Sequence, residues 1–158
     1  FYNPVSQFLI AVTDFIVRPT RRFIPGWGGI DLSTLILAWL FECVIVTSVY
    51  LVQGYNFESN IIAAIGVMGL LGIVEIIKTT LYIILVMIIM QAILSWVNPH
   101  SPMAPLLDNF TRPFFDIFRK RIPLIATVDL SPLFVLIFIQ LLLMVVAGVY
   151  LEITTILR

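Results

Sequence analysis

From Ile61 to Val97 the chain carries only Glu75, Lys78, Thr79, Thr80, Gln91 and Ser95 as polar side chains. Two further runs, Leu35 to Val52 and Leu133 to Leu151, are nearly as apolar, with Glu42 and Gln140 near their centres. Soluble domains hold roughly a quarter charged residues, whereas this chain of 158 residues is 61% hydrophobic and 11% charged. A water-soluble fold of that size cannot cover so much apolar surface with so few charges, so the bilayer is the natural solvent. A helix from Ser33 to Val52 rises roughly 30 Å, the thickness of the hydrocarbon core. These runs predict an all-α, multi-span membrane protein with spans at about 33–52, 80–97 and 131–151.

The stretch 61–97 admits two readings. As one helix it is about 55 Å long, too long for a perpendicular span. Either 61–74 is a separate span with a turn at Glu75–Thr80, or 80–97 crosses the membrane and 61–79 extends that helix. Glu75–Thr80 contains no Gly, Pro or Asn, so the turn lacks a sequence signal, and fourteen residues are few for a span. The second reading is preferred.

Charge is segregated. Of the nine Lys and Arg residues, all but Lys78 and Arg158 lie in two short stretches. Arg18, Arg21 and Arg22 follow an amphipathic segment bearing Val5, Phe8, Leu9, Val12 and Ile16 at helical spacing. Arg112, Arg119, Lys120 and Arg121 lie within or after a second such segment, with its apolar stripe at Leu106, Leu107, Phe110, Phe114 and Phe118. Each reads as a helix lying in the membrane interface. Asp31 with Ser33, and Asp129 with Ser131, stand where N-caps belong, just ahead of apolar runs.

These two themes are copies. Shifted by 98 residues, Thr13–Leu40 aligns without a gap onto 111–138. Thr13 meets Thr111, Arg21 meets Arg119, Ile24-Pro25 meets Ile122-Pro123, Asp31-Leu32-Ser33 meets Asp129-Leu130-Ser131, and Leu35 meets Leu133. Chance matching of apolar residues would not select Pro, Arg, Asp and Ser. The chain therefore divides into a first repeat at 1–53, a loop and apolar extension at 54–79, and a second repeat at 80–158. Each repeat is an amphipathic segment followed by a transmembrane helix. Because a span leads into Asn98-Pro99, a further span is expected ahead of Asn3-Pro4. Lys and Arg collect on cytoplasmic flanks. Both basic segments should face the cytoplasm, which makes the repeats parallel and again favours a single crossing within 54–97.

The run Arg21-Arg22-Phe23-Ile24-Pro25-Gly26-Trp27-Gly28-Gly29-Ile30-Asp31-Leu32-Ser33, with Asn3-Pro4-Val5-Ser6 upstream and Ser95-Trp96-Val97-Asn98-Pro99 later, resembles the YggT family of bacterial membrane proteins, with its YlmG and CCB3-like relatives. The second copy departs, with Leu124-Ile125-Ala126-Thr127 in place of the glycines. The resemblance implies an integral membrane protein without an assigned reaction. It also implies links to cell division or nucleoid distribution, to osmotic stress, and in plastids to cytochrome assembly.

No phosphate loop, nucleophile elbow or metal-ligand cluster is present, and Cys43 and His100 are single. Catalysis and a resident cofactor or metal are not expected. The candidate site residues are embedded polar contacts at Glu42, Gln91 and Gln140, lipid head-group contacts at the seven basic residues Arg18, Arg21, Arg22, Arg112, Arg119, Lys120 and Arg121, and helix caps at Asp31, Ser33, Asp129 and Ser131. Ala63, Gly66, Gly69 and Gly72 offer a row of small residues for a neighbouring helix. The expected function is a non-catalytic inner-membrane scaffold, assembly factor or accessory subunit. Its partners are the phospholipid bilayer and other integral membrane proteins rather than nucleic acid. The alternative is a small transporter or channel component using Glu42 and Gln140.

Overall fold

The computed structural model describes residues 4–24, 31–55, 61–98, 101, 103–119 and 131–156. They form five helices: α1 (Pro4–Thr20), α2 (Leu32–Val52), α3 (Ile61–Val97), α4 (Ala104–Arg119) and α5 (Ser131–Thr155), with no strand among the described residues. α2, α3 and α5 are long and apolar enough to cross a membrane. α3 is a single helix of 37 residues, with no turn at Glu75–Thr80. The chain divides into two compact units, residues 1–73 and 74–158, and the division falls inside α3.

In unit 1, α1 begins on Pro4, whose missing N–H costs nothing in a first helical turn, and ends with Arg18 in its last turn, favourable to the helix dipole. Arg22, Phe23 and Ile24 then turn back onto the carbonyls of Pro19 and Thr20. α2 starts on Asp31 and stops where Gly54 adopts φ +81°. Tyr55 donates to the Tyr50 carbonyl at 3.0 Å, closing the helix with the wide bond that a left-handed residue permits. α2 packs on the first part of α3 by close backbone approach. Trp39 Nε1 donates to the Gly69 carbonyl at 2.9 Å, and the Cys43 thiol lies 3.7 Å from the Met68 carbonyl. A Cβ on Gly72 would stand 2.8 Å from Cys43 Sγ, whereas one on Gly66 would meet nothing. The small residues thus do not act as one row: Gly69 and Gly72 face α2, and Ala63 and Gly66 are exposed. A third-residue spacing drifts around a 3.6-residue helix.

In unit 2, Ile88 of α3, Phe115 of α4 and Val135, Ile139 and Leu143 of α5 form a buried core, flanked by Leu81, Ile84, Leu85, Phe114 and Leu136. Lys78 Nζ lies 5.2 Å from the centre of the Tyr150 ring. With residue 78 beside 150, and 81–88 beside 135–143, this part of α3 runs antiparallel to α5.

Candidate functional site

Two polar clusters stand out, one in each unit. In unit 1 the carboxylate of Asp31 gathers five donor groups from three residues. Ser33 Oγ donates to Oδ1 at 2.5 Å, Thr34 N to Oδ1 at 3.4 Å and Thr34 Oγ1 to Oδ2 at 2.7 Å. Arg21 donates from Nε at 3.0 Å and Nη2 at 2.5 Å, both to Oδ2. The hydroxyls of Ser33 and Thr34, and then the Arg21 guanidinium, hold the Asp31 carboxyl far below the usual carboxylate range, because each favours the ionised form. Ser33 is buried and its hydroxyl donates to Asp31. The cluster ties the basic end of α1 to the start of α2; Arg21 is engaged with Asp31, and it is exposed, as Arg18 and Arg22 are.

In unit 2 the amide of Gln91 bridges α3 and α4. Its Nε2 donates to Asp108 Oδ1 at 3.2 Å, and the Thr111 hydroxyl reaches its side-chain oxygen. Thr111 is buried and also turns to the Leu107 carbonyl at 2.8 Å. The buried stripe of α4 is Leu107, Thr111 and Phe115. Of the apolar stripe read from sequence, only Leu107 is on it. Leu106 and Phe114 are half-buried, Phe110 is exposed, and the Phe118 side chain lies outside the described residues. The identity of Thr13 and Thr111 under the repeat was the one sequence signal at this position; Asp108 carried none.

A third feature lies in α3. Lys78 pairs with Glu75 at 2.5 Å, one turn away, and sits over Tyr150. The charges of this apolar helix therefore neutralise each other locally, and the aromatic face shelters the cation.

The remaining candidates are dispersed. Glu42 is half-buried at the middle of α2 and has no hydrogen bond or ion pair among the described residues. It belongs to unit 1, whereas Gln91 and exposed Gln140 belong to unit 2. Arg112 is exposed, 3.9 Å from Asp116. Ser131 is buried at the first residue of α5. The Arg119 side chain, Lys120, Arg121, Asp129 and His100 lie outside the described residues. Among the described residues, no group of three His, Cys, Asp or Glu side chains is placed to hold a metal.

The family model described as CCB3/YggT matches residues 1–52 and 70–150. An uncharacterized protein of Pseudomonas aeruginosa is 35% identical over 148 residues, covering 92% of this chain and 73% of that protein. A Vibrio alginolyticus protein, described by its place in the proC 3′ region, is 35% identical over 141 residues, covering 89% and 74%. The uncharacterized protein YggT of Escherichia coli is 28% identical over 150 residues, covering 94% and 75%. No solved structure matches the chain significantly.

Proposed function

The chain belongs to the CCB3/YggT family, and on that premise we propose that it is a multi-pass protein of the bacterial inner membrane that works without catalysis, as a scaffold, assembly factor or accessory subunit holding other integral membrane proteins by helix contact. The observation that carries this reading is how little of its apolar helices the chain covers for itself. Only 6%, 11% and 17% of the spanning stretches of α2, α3 and α5 are buried. Much of the remaining apolar surface is left open to lipid or to further helices.

The polar groups of unit 2 support the topology. Lys78 and Val97 are 19 residues apart on α3, and Ser131 and Tyr150 are 19 apart on α5, so each pair is separated by about 28 Å along its helix. A hydrocarbon layer of about 30 Å fits between a Lys78–Tyr150 level on one side and a Val97–Ser131 level on the other. Tyr and Lys are favoured at such boundaries. On this reading 80–97 is the crossing and α4 lies at the cytoplasmic face, and the sequence repeat with its basic residues supports the same face for α1. Arg18 on α1, Arg22 in the turn after it and Arg112 on α4, all exposed, then meet anionic head groups at about 1 kcal/mol each.

Half-buried Glu42, without a described partner at the centre of α2, favours a second reading, a small transporter or channel component. Crosslinking followed by purification from native membranes tests the first: recovery of one defined membrane complex supports the scaffold. Ion or osmolyte flux by the purified, reconstituted protein, lost in Glu42→Gln, would replace it with the second.

A further inference from the structure

We infer that α5 is the seam of a homodimer, in which Gln140 of one copy exchanges amide hydrogen bonds with Gln140 of a second copy at the middle of the membrane. The inference goes beyond the scaffold reading and takes from it only that α5 crosses the bilayer in one orientation.

Gln140 stands nine residues after Ser131 and ten before Tyr150. Along the helix it is therefore about 14 Å and about 15 Å from the two levels that bound the hydrocarbon layer. It is exposed there and makes no hydrogen bond among the described residues. Lipid tails offer a carboxamide no donor and no acceptor, so an unpaired amide at this depth is unfavourable and a paired one holds helices together.

The face around Gln140 has the spacing of a paired helix. Leu133, Ile137, Gln140, Met144, Ala147 and Leu151 follow one another at intervals of four, three, four, three and four. That alternation is the seam of two parallel helices, with Leu133, Gln140 and Ala147 at one core position and Ile137, Met144 and Leu151 at the other. All six are exposed, Met144 to 75% and Leu151 to 65%. The stripe Val135–Ile139–Leu143, which packs inside the copy, occupies another face of α5. Beside Ala147, Gly148 is exposed with nothing within 4 Å of the place of a Cβ, so a second backbone can come close.

Three features select a second copy of this chain as the occupant. A carboxamide is both donor and acceptor, and so complements itself, as a residue beside a two-fold axis must. The basic segments give every copy one orientation, so the α5 helices of two copies run parallel and hold Gln140 at a common depth. A single amide among apolar seam residues fixes register and oligomeric state in parallel helix pairs. The seam carries no charge, so it offers a charged helix of another protein no counter-ion.

The test uses the full chain in native membranes, in a Cys43→Ala background, with two copies co-expressed under tags of different size. Under mild oxidation, Ile137→Cys and Met144→Cys should each give disulfide-linked dimers that carry both tags. Val145→Cys and Val149→Cys, exposed on another side of α5, should not. Energy transfer between labelled copies in reconstituted vesicles then reads the dimerisation constant. Gln140→Leu should lower it about fivefold, the factor equivalent to a membrane hydrogen bond near 1 kcal/mol, and Gln140→Asn should keep most of it. Because Gln140 is exposed within its own copy, neither change disturbs that copy's packing. No dimer with both tags, equal yields at the control positions, disulfides to another protein only, or a constant indifferent to Gln140→Leu would each overturn the inference. None of these results touches the scaffold reading, which stands or falls on recovery of a defined membrane complex.

Discussion

Nη2 of Arg21 stands 2.5 Å from Oδ2 of Asp31, ten positions further along the chain, between the end of α1 and the start of α2. The pair fixes where a helix of interfacial character hands over to one long enough to cross the membrane. Asp31 also accepts from Ser33 and Thr34, so the two partners are unequal. Asp31→Ala removes the acceptor of every bond in the cluster, whereas Arg21→Ala leaves the cap in place. The first should lower the unfolding temperature more than the second, read by Trp fluorescence in detergent micelles or nanodiscs.

The same cluster predicts a dependence on acid. The carboxyl of Asp31 is held below its ordinary value of 3.8 by hydroxyl and guanidinium donors. Its contribution to stability is therefore fully present above 3.8 and is lost as the pH falls through the lowered folded value. Wild type should lose stability on acidification below that point, and Asp31→Asn should lose less over the same interval. Equal pH profiles for the two would show that the bonds do not persist in the membrane.

In unit 2, Thr111→Val keeps the side-chain shape but leaves the Gln91 amide short of a partner inside the α3–α4 contact. Hydrogen bonds between membrane helices are worth about 0.6–2 kcal/mol, and a loss in that range is expected from thermal unfolding. Gln91→Leu should cost a similar amount. The double variant should cost less than the sum, because the two residues share one interaction.

The all-α class and the three long apolar helices were legible, because their signal is the length and composition of single segments and needs no knowledge of neighbours. The contacts between helices were not. Gln91 and Thr111 are twenty residues apart, and nothing local announces that the end of α3 folds back along α4. Phe115 escaped the stripe assigned to its helix because it stands at the edge of one broad apolar arc of α4, and only packing decides which part of that arc is inward. The bond from Arg21 to Asp31 was not legible because it depends on the path of the nine residues between them. Tyr150, a plain apolar residue in the sequence, acquires meaning only from Lys78 beside it.

Close approach of α2 and α3 makes the glycines distinguishable. Gly72→Ala puts a methyl group 2.8 Å from Cys43 Sγ and should destabilise by about 1–3 kcal/mol, as overpacking does. Cys43→Ala should relieve most of that loss. Gly66→Ala, with nothing near its Cβ, should be neutral or stabilising by up to about 1 kcal/mol. Equal effects at both sites would mean that α2 does not sit on this face.

The Glu75–Lys78 pair should behave as one neutral object. Either Glu75→Gln or Lys78→Gln leaves the other charge without its partner in an apolar helix, at an expected cost of about 1–3 kcal/mol. The double variant should be closer to wild type than either single one. Additive losses in thermal unfolding would show that water, rather than the partner, compensates each charge.

Glu42 is where the scaffold and transporter readings part. Gln keeps the length of the side chain and its capacity to hydrogen-bond, and removes only the carboxylic acid. If Glu42 serves helix contact, Glu42→Gln should leave unfolding temperature and complex recovery unchanged, within about 0.5 kcal/mol. Glu42→Lys should lower both, since the new charge cannot be accommodated near the middle of α2 at less than about 2.5 kcal/mol. If Glu42 passes ions or protons, Glu42→Gln should instead assemble normally and lose flux in proteoliposomes. Measuring recovery and flux on one preparation separates the cases, because contact depends on the shape of the side chain and conduction on its acid group.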